Sequence, residues 1–414
     1  MPATAASYAG RVHTSTIGRP AAIAEGRPAV RWPFWTASAS LFALLLSANL
    51  PTPLYAVYRQ RFGFSSSVLT LIFAVYALVL IPSLLVFGQL SDRFGRRRVI
   101  VLGLGAAAAG LALFAAARGT GWLFGARAMQ GLAVGATTGT ATAALVELEP
   151  HGDGAVAAMG AAAGQAGGSA TGPLLAGILA QWAPAPGLLC YLVGLLATAA
   201  VAVAVLRIPE PHLPGGRWRP QVPSVPAPQR ARFARAALTG AAVWAVGALF
   251  LSVVPLYAST LLKTGNLALL GGITAVMLAT ACAAQVVSLR RGLPPATGQF
   301  AGLVLLVAGL AALVAAFPPR SLALLLVAAV LAGAGLGLGY VGAQTRINQL
   351  APPERRGEVT AAFITCVYTG VTIAAVSVGL LSDALSLFAA VAIVAVAIAA
   401  TATATTAWHR TGEP

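Results

Sequence analysis

The sequence predicts an all-α polytopic membrane protein with twelve transmembrane helices in two pseudo-symmetric six-helix halves. Three observations carry that prediction. First, only 9% of the 414 residues are charged and 58% are hydrophobic, whereas a soluble chain carries about 25% charge. Second, apolar runs long enough to cross about 30 Å of hydrocarbon recur along the chain. Lipid offers backbone groups no water, so such runs must be helices or a closed barrel, and their lengths suit helices. Third, short stretches return at one offset of 202 residues. Pro53-Leu54-Tyr55-Ala56 reappears as Pro255-Leu256-Tyr257-Ala258, Leu148-Glu149-Pro150 as Leu350-Ala351-Pro352, and Gly131 and Gly135 as Gly333 and Gly337. An offset near half the chain implies two parallel repeats about an axis along the membrane normal.

Residues 1–34 carry Ala, Pro and Arg without an apolar core and are expected to form a disordered cytoplasmic tail. No apolar stretch there has the length and following small-residue site of a cleavable signal. The expected spans are 35–57, 67–89, 98–117, 121–148, 155–181 and 186–207 in the first half. The second half is expected at 234–257, 267–289, 298–317, 321–349, 358–381 and 385–407, followed by a short tail over 408–414. The Pro- and Arg-rich stretch 208–233 reads as a cytoplasmic linker between the halves. With the N-terminus inside, nineteen Lys and Arg fall on the cytoplasmic side and five outside. The positive-inside rule therefore places both termini in the cytoplasm of a bacterial inner membrane.

The formal charge of +16 lies in short turns and not on a basic face, so nucleic acid is not an expected partner. Cys190, Cys282 and Cys366 sit in apolar runs and lack the spacing of a metal site or disulfide framework. The partners expected are a lipid bilayer and a small-molecule substrate, with the chain monomeric and no cofactor or metal.

The densest charge lies between the second and third spans, where residues 88–98 read Gly-Gln-Leu-Ser-Asp-Arg-Phe-Gly-Arg-Arg-Arg. A topological anchor explains the arginines but not the acid or the glycine spacing. Gly88, Asp92, Arg93, Gly95, Arg96 and Arg97 together resemble the loop signature Gly-x-x-x-Asp-Arg/Lys-x-Gly-Arg/Lys-Arg/Lys of the major facilitator superfamily of secondary transporters. The resemblance covers essentially the whole membrane region. It implies a gate in which Asp92 faces the free N–H groups at the start of the eleventh span. It further implies that Arg96 pairs with an acid ending the fourth span, either Glu147 or, less well placed, Glu149.

Within the fourth span, Arg127, Gln130 and Gly131 resemble the Arg-x-x-x-Gly signature of the superfamily's proton-coupled antiporters. A charge inside a span is costly unless it faces a cavity or partner, although Arg127 is also near enough to the helix start to snorkel outward. In the fifth span, Gly168, Gly172, Pro173 and Gly177 resemble the antiporter signature Gly-Pro-x-x-Gly-Gly, with Ala176 in place of one glycine. Shifted by 202 residues, Asp92 falls on Pro294, so the second half has lost its copy of the gate signature.

The resemblance implies an exporter of small neutral or amphipathic, drug-like compounds that works by alternating access, with the proton gradient as its energy source. Coupling is the difficulty. Every acid (Glu25, Asp92, Glu147, Glu149, Asp153, Glu210, Glu354, Glu358, Asp383 and Glu413) lies at a span end or in a loop. An exporter or facilitator of a sugar, amino acid or other metabolite is the alternative, and a polytopic membrane enzyme or sensor a remote one. No catalytic cluster supports an enzyme. The substrate cavity is expected among the polar and aromatic residues Asn49, Tyr76, Thr138, Gln165, Trp244, Tyr257, Gln285, Tyr340, Gln344 and Tyr368. Each of these also suits a helix–helix contact.

Overall fold

The structure, a computed structural model, describes residues 31–210, 223–352 and 355–411, apart from the side chains of residues 88, 89, 92, 186 and 409–411. In chain order its helices are α1 (Trp32–Asn49), α2 (Tyr55–Phe62), α3 (Ser66–Phe94), α4 (Arg96–Ala115), α5 (Thr120–Leu148), α6 (Gly154–Trp182) and α7 (Pro186–Leu206). The second set is α8 (Arg230–Ser252), α9 (Val254–Leu262), α10 (Leu267–Arg290), α11 (Pro295–Ala315), α12 (Leu322–Leu350), α13 (Arg356–Ala384) and α14 (Leu387–Thr411). Among the described residues, ten helical segments are long and apolar enough to cross a membrane. The 29-residue helices α5 and α6 run beside them but are rich in glycine and alanine.

Two spans are broken, and both begin earlier and end later than the sequence predicts. The first runs from Trp32 to Phe62, interrupted after Asn49 where Pro51 and Pro53 cannot donate to the helix ladder. The matching break in the second half separates α8 from α9 at Val253, just before Pro255. Several other helix starts are set by side-chain caps. Ser65 Oγ accepts from Val68 N at 3.3 Å, Asn266 Oδ1 from Leu269 N at 3.0 Å, and Ser321 Oγ from Leu324 N at 3.3 Å. Asp153 Oδ1 accepts from Ala155 N at 2.8 Å.

The buried clusters keep to one half or the other. One, with members from Ala242 to Ala402, fills the centre of α8–α14. Others fill α1–α7, with members between Phe34 and Ile208. The halves meet along two pairs of helices, α6 against α10 and α3 against α13, which exchange under the 202-residue repeat.

The first half is braced by an aromatic stack. Phe114 lies parallel to Tyr191 at 5.4 Å, and the Tyr58 hydroxyl meets both the Phe114 carbonyl and the Tyr191 hydroxyl at 3.1 Å. Phe114 is almost wholly buried. Phe114→Ala should therefore destabilise the folded protein by about 3 kcal/mol, read as a lowered thermal unfolding midpoint in detergent.

Candidate functional site

The turn between α3 and α4 is built by Gly95, whose φ of 94° favours a residue without a Cβ. A Cβ there would also lie 2.7 Å from Glu210 Oε2. Glu210 uses that closeness to accept the N–H of Arg97 at 3.2 Å, in the first turn of α4, while the Arg97 guanidinium donates to the Ile208 carbonyl at 3.2 Å. The carboxylate thus lies where the helix dipole favours an anion.

Arg96 turns inward. Its guanidinium donates to Ser91 Oγ and lies 3.2 Å from Glu147 Oε1, near the end of α5. Glu149 is turned away, accepting from the N–H groups of His151 at 2.8 Å and Asp153 at 2.6 Å. Burial opposes ionisation of Glu149, but these donors prevail and hold its carboxyl below the usual range. Its stabilising effect is present at neutral pH and is lost as pH falls through that lowered value. Arg93 is exposed beside the Phe94 ring. Gly88 and Asp92 fall within α3, and their side chains lie outside the described residues.

Start of α13 bears a separate polar cluster. Arg355 pairs with Glu358 at 2.8 Å and donates to Ser224 Oγ at 2.6 Å, tying the linker to this helix end.

Arg127 is 2% exposed, so it does not snorkel to the surface. Its location follows from the break in the first span. Ser47 would give its carbonyl to the N–H of residue 51, but Pro51 has none. Gln130 Nε2 donates to the Ser47 carbonyl instead, at 2.7 Å. The Arg127 guanidinium donates to the Ala48 carbonyl and to Gln130 Oε1, both at 2.9 Å. Aromatic faces enclose it, with Phe73 at 4.3 Å, Tyr55 at 5.3 Å and Tyr76 at 5.6 Å. Such cation–π contacts are strong where water is excluded. The Nε atom is buried and has no hydrogen-bond partner among the described residues.

Tyr76 continues this cage across the interface between halves, since its ring meets Tyr368 of α13 edge-on at 6.3 Å. Tyr368 also packs on the patch of Leu44, Ala48 and Leu80. A second aromatic group, Trp244 against Tyr340 at 5.7 Å and Tyr340 against Phe363 at 6.1 Å, lies on α8, α12 and α13. Tyr76, Tyr368, Trp244 and Tyr340 are each only partly buried.

The other expected cavity residues are less distinctive. Asn49 and Thr138 are partly buried and donate to their own helices, at Leu45 and Val134. Gln165 and Gln285 are partly buried, and Gln344 donates to Asn348 Oδ1 at 3.2 Å. Tyr257 is buried in the second-half core with its hydroxyl on the Leu313 carbonyl. Gly131 faces the Tyr76 carbonyl, Gly168 and Gly172 press α6 against the backbone of α1, and Gly177 and Pro173 face α10.

Sequence reasoning left out Glu210, Ser91, Tyr55 and Phe73. Pro51, four residues after Ser47, was the available signal for the Gln130 contact.

Two helical halves joined along paired helices, with a charged turn at one end and aromatic side chains of both halves meeting between them, have the architecture of a membrane transporter. The chain belongs to the Major Facilitator Superfamily, whose family model matches residues 37–314. No curated protein sequence matches it. Among solved structures it is similar to a bacterial homologue of the human lysosomal transporter Spinster in an inward-facing, unoccupied conformation, with a TM-score of 0.71 and 16% identity over 93% of this chain and 97% of that one. It is similar also to the human organic anion transporter MFSD10, with a TM-score of 0.66 and 15% identity over 92% and 100%. The nucleoside transporter NupG aligns with a TM-score of 0.70 and 12% identity over 91% and 99%. At these identities the likeness carries the fold alone.

Replacing Arg127 by Ala leaves the Ala48 carbonyl and Gln130 without their charged donor, a loss of about 1.5–3 kcal/mol. Transport should fall about tenfold or more at unchanged membrane level, with Arg127→Lys intermediate because an ammonium lacks the planar fork. For the turn, Arg96→Glu should lower thermal stability by about 1 kcal/mol, and Arg96→Glu combined with Glu147→Arg should recover part of it.

Proposed function

We propose that this transporter exports small neutral or amphipathic compounds from the cytoplasm by alternating access, with the proton gradient as driving force. The observation that carries the proposal is the aromatic surface contributed by both halves, with Tyr76 and Tyr368 facing each other across the interface. Such a surface suits apolar and planar solutes, held by stacking and a few hydroxyl contacts. A sugar or phosphorylated solute would need more fixed polar partners. The antiporter-like residues Arg127, Gly172 and Pro173 support the export direction and the proton drive.

In this reading the turn at 88–98 holds the cytoplasmic ends together when the outer side is open. Asp92 faces the start of α13, and Arg96 fixes α4 to α5 through Glu147. The absence of an acid in mid-span favours a second reading, uncoupled passage of a neutral metabolite.

Growth-inhibition assays in a host lacking its own pumps separate the two. Export is expected to protect against at least one amphipathic drug, with protection abolished by a protonophore. Protection that survives the protonophore favours uncoupled passage, and no protection against any drug favours the metabolite reading. Asp92→Asn is expected to abolish most efflux with protein still in the membrane, and unchanged efflux would remove Asp92 from the gate.

A further inference from the structure

The contacts between the halves include two hydrogen-bonding sites whose acceptor side chains, Asp383 and Gln181, belong to none of the family-like signatures. Both occur at the end of the bundle remote from the termini, which the charge count places outside. The first joins α13 to α3. Both carboxylate oxygens of Asp383 accept backbone N–H groups from the first turn of α3, Oδ1 from Ser66 at 3.0 Å and Oδ2 from Ser67 at 3.1 Å. With Ser65 Oγ taking the next N–H, of Val68, three of the four free donors of that helix start are satisfied by side chains.

The second contact joins α6 to α10. Gln181 Oε1 accepts the N–H of Leu267, the first residue of α10, at 2.8 Å, and Asn266 Oδ1 takes that of Leu269. The two contacts are copies of one device. Gln181 and Asp383 are 202 residues apart, the offset of the internal repeat. Four residues before each stands a glycine, Gly177 and Gly379, also 202 apart. A Cβ at Gly177 would lie 2.5 Å from the Leu267 carbonyl, and one at Gly379 would run into Thr70 Oγ1 and lie 3.0 Å from the Ser66 carbonyl. The glycine lets the partner helix start come close, and the polar side chain one turn later takes its free N–H.

Residue choice within the pair is unequal. Asp383 brings a full negative charge to two donors at a positive helix end, whereas Gln181 brings a neutral acceptor to one. Residues of the helix starts that these side chains grip belong to the opposite half in each case, so neither bond survives if the halves part at this end.

From this arrangement we infer that Gly177–Gln181 and Gly379–Asp383 form a twofold latch that holds the outer end of the transport pathway closed, with Asp383 its stronger arm. The inference rests on the alternating-access reading above. It adds a second gate at the face opposite the Asp92 turn, built from the same physical element, a side-chain acceptor at a helix start in the other half. Opening the pathway outward requires both arms to release.

The test measures distance between the halves in the full-length protein. In a background with Cys190, Cys282 and Cys366 changed to Ala, spin labels are placed at Arg61→Cys and Lys263→Cys, two exposed sites at the latch end. A second pair, Ala158→Cys with Arg291→Cys, reports on the opposite end. Asp383→Ala should raise the ratio of long to short distances at the latch end by about threefold or more. Gln181→Ala should do so to a smaller extent, and the double variant most, while the opposite end shortens. Asp383→Asn, which keeps an acceptor without the charge, should fall between the parent and Asp383→Ala.

Unchanged latch-end distances in both alanine variants overturn the inference. Equal broadening at both ends also overturns it, because that is loosened packing and not a released latch. Efflux by the parent is measured alongside. Distances that shift as expected in a parent without efflux sustain the latch and count against the export reading. Active efflux with distances unmoved by the substitutions overturns the latch alone.

Discussion

Backbone groups at helix ends have no partners within their own helix, and a membrane interior supplies no water to satisfy them. That constraint organises the polar residues of this chain. Glu210 takes the N–H of Arg97 at the start of α4, Asp383 takes those of Ser66 and Ser67 at the start of α3, and Gln181 takes that of Leu267 at the start of α10. At a helix finish, Gln130 and Arg127 serve the carbonyls of Ser47 and Ala48. With so few charged residues available, much of the side-chain polarity described is placed at helix termini, and these are also the points where one helix can be uncoupled from another.

The fold was legible because its causes are periodic and local. Runs of apolar residues, the placement of arginines in turns and the 202-residue repeat are each visible without knowing which helices touch. The two broken spans were less legible. Pro51, Pro53 and Pro255 lie inside apolar stretches that are long enough to read as single spans, and the break they cause depends on the missing N–H and not on hydropathy.

The site was legible by residue type more than by partner. Arg127 announces itself as a charge within an apolar run, but its choice between lipid surface and interior depends on Phe73, Tyr55 and Tyr76, which come from α2 and α3 and carry no mark in sequence. Glu147 and Glu149 differ by two residues, about 200° around a helix. Only the end of α5 at Leu148 determines that one faces Arg96 while the other folds back over the loop. Tyr257 shares its motif with Tyr55 through the repeat and both are buried in core, yet Tyr55 has the Arg127 guanidinium against its ring while Tyr257 gives its hydroxyl to the Leu313 carbonyl. The repeat preserves helix placement but not the surroundings of each side chain.

Helices α5 and α6 carry Arg127, Gln130 and the glycine-rich run through Gly177, and they are less apolar than the ten membrane-length segments around them. A helix of that composition partitions poorly into lipid by itself. Their neighbours take the place of lipid: α1 packs along both, α3 along α5 and α10 along α6, and the broken end of α1 offers its Ala48 carbonyl to Arg127. Within the bundle each of these helices is thus solvated by protein, and its small residues bring that solvent close.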